Sequence, residues 1–360
     1  MKAGEIVIQK AEIGKMERFK QHLDKYLLMY VGIAMIVGLL IGFPFFKQIG
    51  TIKSFLEVLN LVVIVFMIYP MMVGLNFGEL RNISKTWKQF LFGLLIGLVY
   101  APLLMALLIR IIPMNSYLSF GLILVFAVPC SSMAIAATGL SKGNTELSTI
   151  LVAVQFILAL AVVPFWLSIF GSSYHVPFPM FEIIQTLIII VAIPMLLGFA
   201  TKATIENKGG KAALSKARAS LPAMSLLALF VMIFLIFMEQ AHLITSQWQS
   251  VLVTIIPLTL YYVITIAFLT ILDIILMVKY RDHMAIVFTS VGKNEGTAMA
   301  IALAGGIGLA AVPAAIAPLI QVPLLATYLK FHWQVAGLFS KRSSKLVNEY
   351  ELHEITEKEK

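Results

Sequence analysis

The sequence predicts an all-α polytopic membrane protein with ten transmembrane helices in two inverted five-helix repeats, in which helices four and nine are broken and cross. Three observations predict it. Of the 360 residues, 60% are hydrophobic and 12% are charged, with a mean hydropathy of +0.95, whereas a soluble domain is about half apolar and about a quarter charged. The apolar residues form continuous runs of roughly the 20 residues that a transmembrane helix needs. Most of the cationic residues lie between the runs.

The chain begins with a polar segment, residues 1–25, which we expect to be cytoplasmic. Ten apolar runs follow, at about 26–46, 55–75, 90–112, 118–140, 147–170, 182–201, 223–243, 250–276, 284–306 and 312–332. A charged segment, residues 333–360, is interpreted as a cytoplasmic tail. Because polar residues interrupt the runs at 118–140 and 284–306, nine or eleven spans are alternatives to ten.

The distribution of charge predicts the orientation. With an N-terminus in the cytoplasm, all but four of the 27 Lys and Arg residues fall on the cytoplasmic side; the exceptions are Lys47, Lys53, Arg110 and Lys293. Cytoplasmic loops of membrane proteins carry such an excess of cations. We therefore expect a multi-pass protein of the plasma (inner) membrane with both termini in the cytoplasm.

Ten spans divide into five in residues 26–171 and five in residues 172–332. With an odd number of spans per half, the second half inserts upside down relative to the first. The two interrupted runs then hold equivalent positions, the fourth and the ninth. No strong repeat of residues accompanies this symmetry. The pattern is typical of secondary transporters with inverted repeats, whose broken helices meet at the substrate and ion site.

The ninth run carries Lys293, Asn294 and Glu295 side by side, flanked by Gly292 and Gly296. A charge at membrane depth costs about 2.5–3.5 kcal/mol on insertion scales. Two adjacent charges are tolerable if they face each other, a cavity or a substrate. The two glycines predict that the helix opens here and frees backbone groups to line a cavity.

Each of the three polar residues has two interpretations. Glu295 is either a carboxylate that carries a proton or cation, or a structural partner of Lys293. Lys293 is either part of the site, as a titrating amine or as a fixed charge where another carrier holds sodium, or it snorkels to the cytoplasmic face. Asn294 either contacts the ligand or caps the helix that restarts after the break.

The fourth run contains Pro129, Cys130, Ser131 and Ser132. Pro129 predicts a break in the helix. A thiol beside the break, with neighbouring hydroxyls, can ligate a soft ion, or the cysteine is simply a small buried hydrophobe. Since the chain has one cysteine, it forms no internal disulfide and no zinc cluster. Asp273, near the inner end of the eighth run, is interpreted as interfacial.

At these residues the chain resembles the bile acid/arsenite/riboflavin transporter superfamily, over about residues 26–335. The most specific parts are VPCSSMAIAATGLSKGNTELS in the fourth run and KNEGTAMAIALA in the ninth. In the sodium–bile acid symporter branch, a Ser-Asn pair that helps to bind sodium falls on Ala134-Ile135 here. The glutamate of that branch falls on Ser290 or Val291. The resemblance therefore argues against the usual sodium sites.

The arsenite-permease branch is similar in its chemistry. Its fourth span has a Cys, a Met three residues later and a Lys-Gly-Asp end, and Cys130, Met133 and Lys142-Gly143-Asn144 stand at the same spacing. Its Met-Tyr-Pro stretch resembles VIVFMIYPMMVGLNFGELRN in the second run. Its ninth span has an acidic residue after an Asn. In one register Glu295 matches that acidic residue, and in the register set by Ala-Ile-Ala the acid of the family falls nearer Ala298.

The resemblance implies proton-linked efflux of arsenite or antimonite. Substrate contacts would come from Cys130, Ser131, Ser132, Asn294 and Glu295, with Glu295 and Lys293 coupling transport to protons rather than sodium. The alternative is a symporter of small organic anions of the bile acid:sodium symporter family, in which Lys293 pairs with a carboxylate. The expected partners are the small-molecule or metalloid substrate, protons and the lipid bilayer. No enzyme activity, cofactor, resident metal or nucleic acid is expected.

Overall fold

The structure, a computed structural model, describes residues 15–74, 86–174 and 180–340, and within these ranges every regular element is helical. The expected segments 1–25 and 333–360 lie partly outside the described residues, as does the end of the second apolar run. The helices are α1 Lys15–Lys25, α2 Leu27–Gly42, α3 Phe46–Thr51, α4 Lys53–Gly74, α5 Trp87–Ile111, α6 Ser116–Ala127, α7 Ser132–Leu140, α8 Thr145–Tyr174, α9 Met180–Glu239, α10 Ala241–Ser246, α11 Trp248–Val253, α12 Ile255–Ile275, α13 Tyr280–Val291, α14 Glu295–Ala304 and α15 Val312–Lys330.

Four helical stretches are long and apolar enough to cross a membrane; they are Trp87–Ile111, Thr145–Gly171, Trp248–Ile275 and Gly308–Lys330. Shorter apolar helices accompany them, among them α2 and α6. Each apolar run of the sequence coincides with one or more of the helices given above. The chain is therefore an all-helical polytopic membrane protein, as the composition predicts.

The interrupted helices lie at the centre of the molecule. In α6, every residue from Leu118 to Ala127 is buried, and the same holds for Asp282 to Val291 in α13. The outer helices instead expose large apolar side chains, for example Leu40 of α2, Phe55 of α4 and Leu196 of α9. This distribution is the one expected of a protein in lipid, since apolar residues on its outer surface face acyl chains rather than water.

Helix α9 consists of two pieces that fold back on each other. Gly210 has φ 64° and ψ −168°, which interrupts the helical geometry between the two pieces. Thr201, before the interruption, accepts a hydrogen bond from the hydroxyl of Tyr69 at 2.8 Å, and Ser225, after it, donates to the carbonyl of Met67 at 2.7 Å. Two residues so distant in sequence reach neighbouring residues of α4 only if the chain reverses between them.

Small residues let α2 approach the second piece of α9 closely. A methyl group at Gly38 would lie 2.6 Å from the carbonyl oxygen of Phe234, and one at Gly42 would overlap the carbonyl of Met238. Glycines four residues apart form such close contacts between transmembrane helices, where van der Waals packing replaces the hydrophobic effect. This contact fixes α2 beside the second piece of α9.

Candidate functional site

Two helix interruptions form the centre of the molecule, where the sequence predicts them. Helix α6 ends at Ala127 and α7 begins at Ser132, while α13 ends at Val291 and α14 begins at Glu295. The first break follows from Pro129, since the residue before a proline is driven from the helical region; Val128 has φ −73° and ψ 159°. At the second, Gly292 ends α13 with φ −82° and ψ 68°.

The two breaks pair with each other through their backbones. Cys130 and Lys293 form an isolated antiparallel bridge. The N–H of Ser131 donates to the carbonyl of Gly292 at 2.8 Å, and the N–H of Asn294 donates to the carbonyl of Pro129 at 3.0 Å. Non-helical backbone at membrane depth needs such partners, because the hydrocarbon core supplies none. The prediction that the two interrupted segments meet is confirmed.

A glutamine supports the central N–H of each break. Oε1 of Gln155, on α8, accepts from the N–H of Cys130 at 3.1 Å, and Oε1 of Gln321, on α15, accepts from the N–H of Lys293 at 3.1 Å. Each glutamine belongs to the second α-helix after its own break along the chain. Gln155 and Gln321 therefore have the same role at the two breaks. The sequences of the two halves are not similar enough to reveal this correspondence.

Lys293 does not pair with Glu295, so the interpretation of Glu295 as its structural partner is wrong. The Lys293 side chain is fully buried, and its Nζ donates to the carbonyl oxygens of Gly97 at 2.6 Å and Val128 at 3.3 Å. An ammonium group carries only donors, and these carbonyls are acceptors that no helical N–H uses. The two charged side chains therefore diverge, the lysine toward α5 and the glutamate toward α15.

Glu295 is the first residue of α14 and is 8% exposed. Its carboxylate accepts a hydrogen bond from the side chain of Gln321, while its Oε1 has no hydrogen-bond partner among the described residues. Oε1 of Gln321 also accepts from the hydroxyl of Tyr262 at 3.0 Å. The carboxyl group is thus held in place by neutral hydrogen bonds, and no cation of the described chain is paired with it.

Asn294 caps the restarting helix. Its Oδ1 accepts from the N–H of Thr297 at 3.0 Å, as an N-cap residue does. Gly296, expected as a helix-break residue, lies inside α14, so that part of the prediction is wrong. A side chain at Gly296 would overlap the thioether of Met67. The glycine is needed there because α4 packs directly against the start of α14.

Cys130 is a free, fully buried cysteine directly opposite Lys293 in the bridge. The Lys293 ammonium is near enough to interact electrostatically with the thiol. Ser131 is half-buried and provides its N–H to the pairing. The side chain of Ser132 lies outside the described residues. The backbone hydrogen bonds between the two breaks therefore bring Cys130 and Ser131 next to Asn294, and Glu295 is the following residue in the chain.

A cavity of about 820 Å³ opens at one end of the molecule. It is lined by residues from α4, α6, α9, α10 and α14 and the loops beside them, including Asn60, Asn115, Glu239, Gln240, Gln247 and Ala300. Among the described lining residues, Glu239 is the one with a charged side chain. The lining includes Ile64 of α4. Met67, one turn further along α4, packs against Gly296 at the start of α14.

The buried Asp273 and His283 form a second polar cluster that the sequence does not predict. Asp273 is fully buried in the protein, and its Oδ2 lies 2.6 Å from Nδ1 of His283. Nε2 of His283 lies 2.8 Å from the hydroxyl of Tyr328, which lies 3.0 Å from the hydroxyl of Thr270. The sequence feature that could have indicated this cluster is an aspartate inside an apolar run, followed by a histidine ten residues later.

Replacing His283 with alanine is expected to destabilise the protein strongly. The change leaves Asp273 buried without its partner, and Oδ1 of Asp273 already has none among the described residues. Breaking a buried pair on one side costs about 3–5 kcal/mol. Thermal unfolding of the purified protein in detergent measures the loss, with His22→Ala as the control, since His22 is exposed and bonded to Tyr30. Equal unfolding temperatures for the two variants would contradict the structural role of the cluster.

Comparison with known proteins relates the chain to a family of transporters. A profile of the Sodium Bile acid symporter family matches residues 61–247. The match covers a little over half of the 360 residues. It includes Cys130 and its break but ends before Lys293 and Glu295.

Relatives align over most of the chain. The Arsenical-resistance protein Acr3 of Corynebacterium glutamicum is 25% identical over 326 residues, which cover 84% of this chain and 86% of the relative. The Arsenical-resistance protein Acr3 of Alkaliphilus metalliredigens is 24% identical over 339 residues, covering 86% and 93%. A Bacillus subtilis protein named as an uncharacterized sodium-dependent transporter, YocS, is 25% identical over 301 residues, covering 82% and 89%.

Proposed function

We propose that this chain, which belongs to the sodium bile acid symporter family, is a secondary active transporter that expels arsenite or antimonite from the cell in exchange for protons. The observation that carries the proposal is the pairing of the two breaks, which brings the chain's one cysteine opposite the segment that holds Glu295. Two relatives that align over most of the chain are named as arsenical-resistance proteins, which supports the same substrate.

The proposed substrate chemistry follows from one thiol. Trivalent arsenic is thiophilic, and its hydroxide is largely neutral at neutral pH. In the proposed step the thiol of Cys130 exchanges with one As–OH group: an As–S bond forms, an As–O bond breaks, and the hydroxide leaves with the thiol proton as water. Soft metals and metalloids favour sulfur ligands. Three thiols would trap the metalloid, whereas one thiol, with a hydroxyl from Ser131 or Ser132, releases it by the reverse step.

Proton coupling is assigned to Glu295. A charged carboxylate at membrane depth is costly, and no cation of the described chain compensates it directly. Neutral partners such as Gln321 accommodate both the protonated and the ionised forms. A group with these two accessible states is suited to carry a proton in one direction while the substrate moves in the other.

The proposed orientation places the cavity on the external side. We infer ten membrane spans in two inverted repeats, residues 26–171 and 172–332, with both termini in the cytoplasm of a cell whose plasma membrane holds the protein. The equivalent roles of Gln155 and Gln321 support the repeat, because each caps the break that precedes it. In this arrangement the ends of α9 and α14 face outward, so the cavity beside them is the proposed exit.

The lining of the cavity favours a neutral substrate over an organic anion. Among its described residues, the polar side chains are amides, a tyrosine and Glu239, and none is a lysine, arginine or histidine. The described lining therefore offers a carboxylate substrate no cationic side chain to bind its charge. The ammonium of Lys293, the group expected to pair with such a substrate, is occupied by two backbone carbonyls instead.

The function is tested by flux into proteoliposomes that contain the purified chain. Vesicles in which the external face of the protein lines an acidic lumen are expected to accumulate arsenite and antimonite, and bile acids or other small organic anions are expected to stay at the level of protein-free liposomes. Accumulation of an organic anion, or a failure to accumulate either metalloid under an imposed pH gradient, would contradict the proposal.

Replacing sodium with choline is expected to leave metalloid transport unchanged. At the positions of the sodium-binding Ser-Asn pair of the symporter branch the chain has Ala134 and Ile135, and Ala134 packs against Gly292. The hydroxyl of Ser290 donates to the carbonyl of Ile286 at 2.7 Å within its own helix. Initial rates in paired sodium and choline buffers measure the effect, and a strict sodium requirement would refute the proton coupling.

A further inference from the structure

The position of Lys293 raises the question of why its ammonium is stable where it lies. The side chain is fully buried, and inside a membrane an ammonium group must find acceptors within the protein. No described carboxylate is paired with it. Its two acceptors are backbone carbonyls on two different helices. Each of them can accept from the ammonium because it has no helical N–H donor.

Pro102 frees the first carbonyl. In a regular α-helix the carbonyl of Gly97 accepts from the N–H of residue 101, but here the N–H of Ala101 donates to Ile96, one residue further back, within a π turn, Ile96–Tyr100. The residue that would then serve Gly97 is Pro102, which has no N–H. The Gly97 carbonyl is left without a helical donor and accepts from Nζ of Lys293 at 2.6 Å.

The same proline frees a neighbouring carbonyl, which another side chain fills. The carbonyl of Leu98 would accept from residue 102 in an α-helix, and it accepts instead from Nε1 of Trp166 at 2.8 Å. The two freed carbonyls of α5 are therefore both satisfied by side chains, one by an indole and one by an ammonium. Each carbonyl freed at the π turn thus accepts a hydrogen bond from a side chain, and only the carbonyl of Gly97 accepts from a charged group.

The second carbonyl belongs to Val128, at the end of α6. The chain leaves the helix there because Pro129 follows. Among the described hydrogen bonds no backbone N–H donates to this oxygen, and Nζ of Lys293 lies 3.3 Å from it. Two backbone carbonyls, freed independently by two prolines on two helices, thus converge on one point. Backbone carbonyls freed in this way are the oxygen ligands with which unwound transporter helices hold monovalent cations.

We propose that the carbonyls of Gly97 and Val128 form a monovalent-cation site that the chain fills permanently with its own Lys293 ammonium. Shortening the side chain would open the site to a free cation, either a small alkylammonium ion or a hydrated alkali ion such as Na⁺. The assignment of the cation site depends only on the two hydrogen bonds from Nζ of Lys293. Its consequence for coupling, that the fixed charge removes any need for co-transported sodium, rests on the proposed function.

The first test uses Lys293→Ala and thermal unfolding of the purified full-length chain. The variant is expected to unfold at a lower temperature than the parent, and n-propylammonium or sodium is expected to raise its Tm by about 1–2 °C, because a ligand that binds only the folded state stabilises it and the shift becomes smaller in longer chains. Choline at equal ionic strength is too large for the site and serves as the salt control. The parent and Lys142→Ala, an exposed lysine, are expected to show no selective response.

A lack of any difference between propylammonium, sodium and choline for Lys293→Ala would overturn the proposal. Should the variant fail to accumulate, it is expressed and purified in propylammonium, and continued failure also counts against the site.

A second variant tests the carbonyl without touching the lysine. Pro102→Ala restores an N–H at residue 102, which allows α5 to become a regular helix and withdraws the carbonyl of Gly97 from Lys293. Removing a proline from inside a helix is ordinarily neutral or stabilising. Here Tm is expected to fall, while Pro164→Ala, inside α8, serves as the matched control and is expected not to fall. A Pro102→Ala protein at least as stable as Pro164→Ala would contradict the proposed site.

Transport by Lys293→Ala reports on the consequence for coupling. We expect sodium to stimulate metalloid flux in the variant and to have no effect on metalloid flux in the parent. The Tm measurements involve no transported substrate, so their failure refutes the cation site and leaves the proposed function intact. If the parent moves no metalloid while propylammonium still stabilises Lys293→Ala, the proposed function fails and the cation site stands.

Discussion

Glu295→Gln is expected to lose transport against a gradient while keeping the fold. Glutamine preserves the shape of the side chain and its hydrogen bond with Gln321, but it cannot alternate between protonated and ionised forms. In vesicles with an acidic lumen, accumulation of arsenite by this variant is expected to fall to the level of protein-free liposomes. Because binding of a neutral metalloid hydroxide does not require the carboxylate charge, downhill exchange of labelled arsenite is expected to persist.

The matched control for this change is Glu239→Gln. Glu239 is also a carboxylate, and Asn60 donates to its Oε1 at 2.9 Å. It lines the proposed exit cavity, whereas Glu295 lies at the break in the helix. We expect that variant to accumulate arsenite, and Glu295→Asp to retain part of the activity with a changed dependence on pH. Accumulation by Glu295→Gln equal to that of the parent would show that coupling takes place elsewhere, and Asp273 with His283 would be the next carboxylate cluster to test.

Cys130→Ser is expected to reduce arsenite flux by at least about tenfold, equivalent to about 1.4 kcal/mol. Serine is close to cysteine in size and preserves the backbone pairing, since the hydrogen bond to Gln155 comes from the N–H. The soft sulfur ligand is what the change removes. Flux in proteoliposomes containing equal amounts of folded protein measures the effect.

Two controls distinguish loss of the ligand from loss of the fold. The Tm of Cys130→Ser is expected to stay near that of the parent, because the site tolerates a group of similar volume. Met133→Leu removes the neighbouring sulfur from α7, three residues along the chain, and is expected to have a small effect if the thiol carries the contact. Unchanged arsenite flux in Cys130→Ser would make Cys130 a small buried hydrophobe and would remove the argument for a thiophilic substrate.

The sequence alone determined the helical membrane class and the places where helices stop. Apolar run length dictates helices because lipid leaves backbone groups no other partner. The break at Pro129 is local covalent chemistry, and Gly292 ends α13 at the polar stretch that follows it. Asn294 likewise caps its helix through its own short side chain. These features depend on residues within a few positions of one another, so a pattern of residues is enough to predict them.

Only the tertiary structure decided which groups meet. One acceptor of Lys293 lies 196 residues away, on α5, and it is available because Ala101 donates to Ile96 in a π turn and Pro102 has no N–H. Adjacency in sequence suggested Glu295 instead, but the lysine extends toward the carbonyls while the start of α14 carries the glutamate toward Gln321. The partner of Asp273 likewise comes from the next helix. Which carbonyl is free, and which side chain reaches it, is set by the packing of helices distant in sequence.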